Sequence, residues 1–530
     1  MAGVLPANLS FFMQRLAGVS TSHFKITPQS SDTATSNKII RFELPSNTLV
    51  NMRNIRFFFN AETEGSSAGG RLPNKIDSLI ERVAVYMGGV LVGNNHNKYN
   101  VLRHAKDAIQ GDKCSSVMGH PEIVRAKSYH DSSTLAVDAN EAYTALDDQF
   151  CIDYFEGLLG SIEPSIIDTG LLPQITLEIT LAEDAVCPSV DGIFPAVGDG
   201  TGATNTIDKE GATACTFKLT NMNLQVEVLG MATSVLDQLV ESRIASVGYL
   251  SLPFKNYYTY SSTHNGTTRF SANTASLDKV WIAYRPTTFA TTPAGVHVPV
   301  GYKTQNGLVL IASANKNAGS TSTTVAFDGK VGGTPAVGDF VMSAEAGGAA
   351  MTRVTAVDSA TQVTVADAIT FSDNVAIQFF RDVGLPQFDS GGVLDTNKEK
   401  YISKFFRFKE PLSSASTPSK YQLQVNGASL PAYKMNRSEF YEITKASAEV
   451  YKTEKEMSFA QYVDSYYVQC MRFNLEGSDM TRLASGLDTR AVSAQMALET
   501  EGLDSTHLDI FVESTAELRI GSGRSIEVIA

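Results

Sequence analysis

Few groupings of reactive side chains in this sequence have the spacing that a known chemistry requires. Gly65-Ser66-Ser67-Ala68-Gly69 matches Gly-x-Ser-x-Gly, the string that exposes a nucleophilic serine on a strained turn between a strand and a helix. Its surroundings, AETEGSSAGGRLP, read instead as a flexible hairpin loop. Asp147-Asp148, Glu183-Asp184 and Glu499 with Glu501 are carboxylate pairs of the kind glycoside hydrolysis needs on either side of a sugar bond. They read as solvated charges in loops and at strand edges. The eight histidines, His23, His96, His104, His120, His130, His264, His297 and His507, never fall three or four apart, so no helical face presents a metal-binding pair. Cys114, Cys151, Cys187, Cys215 and Cys470 are scattered, odd in number and without a C-x-x-C pair, a pattern of buried free thiols made in a reducing compartment. No Gly-rich phosphate loop ends in Lys-Ser or Lys-Thr. The expectation is a chain with no catalytic, cofactor-binding or metal-binding residues, and no enzyme.

Composition narrows the class further. Of 530 residues, 43% are hydrophobic and 19% charged, enough apolar content for packed cores and too much chain for one. A formal net charge of −13 argues against binding nucleic acid over the main surface. The start, MAGVLPANLSFFMQRLAGVS, lacks a basic segment leading into a long apolar core, and no apolar run reaches the roughly 18 residues that span a bilayer. Synthesis in the cytosol is the expectation. Asn265-Gly-Thr267 and Asn436-Arg-Ser438 are then chance matches to the glycan acceptor pattern. Phe11, Phe12, Met13 and Leu16 around Arg15 read as an amphipathic arm or a mobile terminus.

The elements that would position any of these residues are mostly strands. Ile175, Leu177, Ile179 and Leu181 alternate with Thr176, Glu178 and Thr180, and the same period of two recurs at Ile40 to Leu44, Leu224 to Val228, Val280 to Tyr284, Val492 to Leu498 and Leu508 to Val512. Within VNMRNIRFFF the apolar phase slips between Met52 and Ile55, which predicts a bulge or break near Arg53. Asn426-Gly427 between YQLQV and ASLPAY predicts a two-residue hairpin. Three helices are expected: about 97–109 with Val101, Leu102, Ala105, Ala108 and Ile109 on one side and Gly111 as its stop; 234–247, opened by Ser234-Val-Leu-Asp237 and closed by Gly248; and Ser438 to about Tyr451.

The helix at 234–247 divides two β-rich stretches. Residues 1–21 read as an N-terminal arm, 22–233 as a first β-unit, and 248–300 with 385–530 as a second. Between the halves of the second unit, 301–384 turns rich in Ala, Gly, Ser, Thr and Val, with strand candidates LVLIASA, TTVAF, DFVMSA, TRVTAV and QVTVADAI. It reads as an inserted β-domain or tower, and without it the two units are of similar length.

LPNKIDSLIERVAVYMGG (72–89), LLGSIEPSIIDTGLLPQITLEITLAEDAV (158–186), FKLTNMNLQVEVL with YLSLPFKNYYTY (217–260), YQLQVNGASLPAYKMNRSEFYEIT (421–444) and STAELRIGSGRSIEVIA resemble, in that order, segments of the double jelly-roll major capsid proteins of Polinton-like viruses and virophages. The resemblance spans nearly the whole chain except 301–384 and the first twenty residues. It implies an all-β chain of two tandem eight-stranded jelly rolls with a few short helices. It further implies a homotrimer whose six rolls make a pseudo-hexagonal capsomer tiling an icosahedral shell around double-stranded DNA in the virion. Neighbouring capsomers, penton and minor capsid proteins would be its partners, without specific nucleic-acid binding. A carbohydrate-binding or carbohydrate-active jelly roll, or another self-assembling phage or adhesin component, is the alternative.

Overall fold

The computed structural model describes residues 20–64, 72–73, 75–93, 97–110, 149–187, 216–230, 240, 242, 244–286, 296–297, 308–317, 320–337, 339–343, 351–382, 402–413, 418–448, 459–474, 486–490 and 495–529. The Gly65–Gly69 string, Asp147-Asp148, Gly111 and the Ser234–Asp237 capping box lie outside them, as do His96, His120, His130, Cys114 and Cys215. Among the described residues no helix is long and apolar enough to cross a membrane.

The first half is built from β1 (Ser20–Ile26), β2 (Ala34–Thr35), β3 (Ile39–Glu43), β4 (Leu49–Glu64), β5 (Ile80–Met87), β6 (Val90–Gly93), helix α1 (Tyr99–Gln110), β7 (Phe150–Ile152), the short helix α2 (Leu158–Ser161), β8 (Ile166–Asp168), β9 (Ile175–Leu181) and β10 (Thr216–Gly230). Two sheets result, ordered β1-β10-β4-β7 and β3-β9-β5-β6, with β2 on β10 and β8 on β4. Counting the eight principal strands along the chain, these orders are first-eighth-third-sixth and second-seventh-fourth-fifth, which is the jelly roll. β1 begins at Ser20 and pairs Ser20 with Gly230, so the strand starts inside the stretch read from sequence as the arm.

After Gly248 (φ 91), reached through residues 244–247 in helical conformation, the second half repeats this plan. Its strands are β11 (Tyr249–His264), β12 (Thr267–Ser271), β13 (Leu277–Arg285), β22 (Lys420–Val425), β23 (Ala428–Asn436), β24 (Val468–Arg472), β25 (Gln495–Glu501) and β26 (Thr506–Gly521), with β27 (Ile526–Ile529) added to β26. The sheet orders are β11-β26-β13-β24 and β12-β25-β22-β23, the same two permutations. In both halves a helix follows the fifth strand: α1 in the first, α3 (Arg437–Ser447) in the second, with α4 (Phe459–Ser465) after it. The chain is therefore all-β, two tandem jelly rolls.

Between β13 and β22 the chain leaves the second sandwich through β14 (Val296–His297) and returns through β21 (Ile402–Ser403), which pair at the base. Beyond them β15 (Leu308–Lys316), β16 (Ser320–Gly332), β17 (Phe340–Ser343), β18 (Met351–Ser359), β19 (Gln362–Phe371) and β20 (Ala376–Asp382) close into a barrel ordered β15-β16-β19-β18-β17-β20. Its core is its own: Val325, Phe327, Val341, Val363, Ile377 and Phe379 are all almost wholly buried, with the Phe327 and Phe379 rings 5.0 Å apart.

Local sequence explains much of this. Alternation delivers its apolar set inward, as in β9, where Ile175, Leu177, Ile179 and Leu181 are buried and the residues between them half-buried. The phase slip near Arg53 is a real irregularity: Ile55 pairs with Val226 but Val50 with Val228, so β4 loops out three extra residues against β10. Asn51 and Asn54 within it both donate to Glu227 Oε2, at 2.8 and 2.7 Å, which pins the looped-out turn. Asn426 (φ 52) and Gly427 (φ 77) form the tight turn between β22 and β23. α3 starts at a full capping box, Asn436 accepting from the Ser438 and Glu439 amides while Glu439 reaches back to the Asn436 amide. That side chain is thereby engaged at a helix start.

Because the barrel closes on itself and holds a separate core, it should fold without the sandwiches. A fragment of residues 300–390 is expected to unfold in one cooperative thermal transition, and a chain with that span replaced by a short Gly-Ser linker to keep its β-rich circular dichroism. A fragment without a cooperative transition would contradict this.

Candidate functional site: the seam between the sandwiches

The outer face of the β11-β26-β13-β24 sheet is where buried charge concentrates. On β13, Val280, Ile282 and Tyr284 face their own sandwich core, Tyr284 meeting Tyr421 of the opposite sheet at 6.1 Å between ring centres. Lys279, Trp281 and Arg285 point the other way, alongside Asp509, Phe511 and Glu513 of β26. All of β13 is nevertheless buried. A sheet buried on both faces needs a cover, and the first sandwich supplies it.

α1 forms part of that cover. Sequence periodicity gave it one apolar side; in the fold nearly every side chain from Tyr99 to Gln110 is buried, Arg103, Lys106 and Asp107 included. The physical cause is that each of these charges meets a countercharge from the turn and connecting segments packed around the helix. Arg103 lies 3.2 Å from Asp77 and 3.1 Å from Glu156, and Lys75 closes on Asp107 at 2.8 Å. Lys106 Nζ donates to Glu156 Oε2 at 2.8 Å and to the Tyr257 hydroxyl of β11 at 2.9 Å, and that hydroxyl donates to Glu156 at 3.2 Å. The Lys106 ammonium also lies over the Tyr257 and Trp281 rings, 5.2 and 6.0 Å from their centres. Trp281 in turn donates to Glu513 at 3.2 Å.

A second node sits at the other end of the helix. Lys98 Nζ is 2.8 Å from Asp509 Oδ1 and 3.0 Å from Nε2 of His507. Arg285 grips Asp509 through Nη2 at 2.6 Å and Nε at 2.8 Å, and Ser261 donates to the same carboxylate at 2.6 Å. Beside it, His104 takes Ser78 Oγ at 2.6 Å and stacks on Phe406 at 3.8 Å, while the Arg285 guanidinium lies over Phe405 at 5.0 Å. Phe405 and Phe406 follow β21, so the base of the barrel is wedged into this seam. Backbone contacts finish it: Glu163 N to Pro253 O at 3.1 Å and Lys255 N to Ser161 Oγ at 2.7 Å.

Electrostatics follow from this packing. Burial opposes the charged form of Asp509, yet Arg285, His507 and Lys98 together hold its carboxyl far below the usual carboxylate range. Burial likewise opposes ionised Glu513, but Lys106, Lys279 and Lys255 hold its pKa below the ordinary value. Glu81 goes the other way: burial pushes it up to about 7, only partly offset by the Lys98 amide, which donates to it at 3.0 Å, and by the Lys98 ammonium.

The residues singled out from sequence scatter around the seam rather than forming a site of their own. His104 and His507 join it, whereas His264 is buried between the Thr268 and Thr500 hydroxyls at 2.6 Å each, and His23 is exposed on β1. Glu499 and Glu501 lie along one edge of β25 with Lys434 at 4.0 and 2.5 Å, an exposed ion cluster. Cys151, Cys187 and Cys470 are free thiols. Among the described residues no three His, Cys, Asp or Glu side chains gather in a metal-holding group. Sequence reasoning missed the seam itself; its only signal was the density of charge, Arg103, Lys106 and Asp107, inside an apolar helix pattern.

Comparison with protein-family models and with curated sequences returned no match. Among solved structures the chain is similar to the Faustovirus major capsid protein (10% identity, 95% of this chain and 91% of that one, TM-score 0.48). It is also similar to the PBCV-1 virus capsid protein of a quasi-atomic model (12%, 97% of each, TM-score 0.45) and to a protein of the Sputnik virophage (9%, 96% and 88%, TM-score 0.41).

The seam carries its own pH signature. Because the folded chain holds Glu81 near pKa 7, against an ordinary value of 4.5, its contribution is intact below about pH 4.5 and is lost as pH rises towards 7. Glu81→Gln, which keeps the oxygen that accepts from the Lys98 amide, should therefore raise unfolding free energy relative to wild type by about 2–3 kcal/mol more at pH 8 than at pH 5. Denaturant titrations at both pH values check this; a difference that does not change with pH would contradict it.

Proposed function

We propose that this chain is the major capsid protein of a double-stranded DNA virus, a structural protein without catalytic activity. Two jelly rolls in tandem welded by a buried ionic seam carry this reading. An enzyme on such a scaffold concentrates its charged groups around an opening for substrate; here the most elaborate polar network lies between two domains and fixes their relative placement. A rigid pair of like units is what a tile needs, since errors in the angle between units accumulate around a closed shell. The order of the segments resembling double jelly-roll capsid proteins supports the same conclusion.

On this reading three chains present six sandwiches as a pseudo-hexagonal capsomer, and capsomers tile an icosahedral shell with penton and minor capsid proteins at its special positions. Interfaces within such an obligate trimer bury on the order of 2,000–5,000 Å², which makes the protomer depend on its neighbours for stability. Residues 1–19 serve as an arm towards the shell interior, 20–233 and 248–300 with 385–530 as the two rolls, and 301–384 as a tower on the outer surface.

Purified protein should run with a native mass of three chains, three times 57.1 kDa, and give hexagonal tiles or shells by negative-stain microscopy. Removing residues 1–19, ahead of β1, should leave the trimer intact and lower shell yield. A monomer, fibres, or turnover of glycans in a hydrolysis screen would contradict the assignment.

A further inference from the structure

The barrel lies outside the segments that resemble capsid proteins, and its exposed surface is uneven. β15, β17 and β19 run away from the end where the chain enters at Leu308 and leaves at Asp382, and β16, β18 and β20 run back towards it. The far end is polar, with Asn315, Asn317, Ser372, Asp373 and Asn374 exposed. Among the described residues, the large exposed hydrophobics of the barrel are all at the tethered end. Val331, 74% exposed, is next to last on β16, and Val357, 39% exposed, is near the end of β18. Val337, 66% exposed, lies on the connection that carries the chain from β16 past the ends of β19 and β18 to β17.

Charge on the two flanks of this patch is complementary. β16 and β18 stand on either side of β19, two of six positions apart round the barrel. From the far end towards the tethered end, the β16 flank presents exposed Asp328, half-buried Lys330 and then Val331, whereas the β18 flank presents exposed Arg353, Val357 and Asp358. Two barrels set side by side at one height therefore match an acid with a base at both levels, Asp328 with Arg353 and Lys330 with Asp358, around Val331 and Val357. Asp358 is anchored by Gln362 and Thr364, which donate to its Oδ2 at 3.4 and 2.8 Å. β19 between the flanks presents only uncharged Gln362, Thr364 and Ala366 over Gln362–Ala366. Anything approaching the tower from outside meets its polar far end first, whereas the tethered end faces what stands on the same capsomer.

We propose that a second copy of this chain covers the patch: the β16 flank of one barrel packs on the β18 flank of the next, and three barrels close a ring above the capsomer with β19 towards its axis. Each member of a three-membered ring meets its two neighbours on the flanks of its axial side, which is how β16 and β18 lie about β19. Such a head-to-tail contact is heterologous and closes when its rotation is a third of a turn. The inference rests on the capsomer reading and adds a contact made by the insertion rather than by the sandwiches.

Paired cysteines test the ring. Val331→Cys and Val357→Cys are made singly and together in the full chain, oxidised mildly and run on non-reducing gels beside wild type, whose own five cysteines set the background. Within one barrel the two positions are two strand spacings apart, about 9–10 Å, beyond the reach of a disulfide, so the bond joins only different chains. Both valines are exposed, and circular dichroism checks that the variants fold. The double variant should give disulfide-linked dimers and trimers in at least ten-fold excess over either single variant. Adding Lys330→Glu should cut that yield several-fold, and adding Asp358→Lys to it should restore most of the loss; failure of the rescue would overturn the charge pairing. Native trimers by sedimentation velocity whose double variant cross-links no more than wild type would overturn the ring alone, and leave the valines to another segment of the same chain or to an outside partner. Single variants that cross-link as fully as the double would overturn it too, since like positions would then be meeting. Wild type that stays monomeric at every concentration would overturn the capsomer reading beneath it.

Discussion

A buried charge has to be paired, and that constraint organises this molecule. Arg103, Lys106 and Arg285 are removed from water at the seam between the two sandwiches, with Lys98 half-buried beside them, and an uncompensated ion there costs several kcal/mol. Arg103, Lys106 and Arg285 are paired with carboxylates of their own sandwiches, but two contacts form only when both sandwiches are in one relative position: Lys98 reaches Asp509 from a residue 411 positions away, and Lys106 reaches the Tyr257 hydroxyl across 151. An apolar seam of the same area would tolerate sliding by a side chain's width, since hydrophobic attraction is non-directional. Ion pairs with bidentate and three-centre geometry do not. Their worth here lies in orientation more than in net stability.

That fixed orientation connects the fold to its proposed use. The connection between the third and fourth strands of the second sandwich carries the barrel, and it re-enters through Phe405 and Phe406 at the Arg285 and His104 end of the seam. The barrel has a closed hydrogen-bond ladder and a separate core, so it adds a new outer surface without altering either sandwich. A large excursion is tolerated there because only its base, where β14 meets β21, has to be compatible with the rest.

Much of this was legible in the sequence wherever the governing interaction is local. Period-two alternation at Ile175–Leu181 reports which face of a strand is dry, and it held there; at Leu508–Val512 the intervening Asp509 and Phe511 are buried as well, because the seam covers the second face. The slip between Met52 and Ile55 marked a real irregularity because a strand cannot change faces without extra residues. Asn426-Gly427 and Asn436 acted through backbone geometry within a few positions. β20 (AIQFFRD) and α4 went unread: the first is short and half-polar, and the second is set by Tyr462, whose hydroxyl bonds the Val468 carbonyl in the following strand. The seam was the largest omission. Arg103, Lys106 and Asp107 look like a solvated helix face until the fold brings Asp77 and Glu156 from connecting segments and Tyr257 from the second sandwich to them, and no local pattern encodes that meeting.

Native-state hydrogen exchange tests the welded seam most directly. If the two sandwiches are one unit, the α1 amides from Val101 to Ile109 exchange in the same slow cooperative step as those of β13 and β26. If α1 exchanges well before those strands while both sheets stay protected, the helix is a loosely held flap, and the seam does not fix one sandwich on the other.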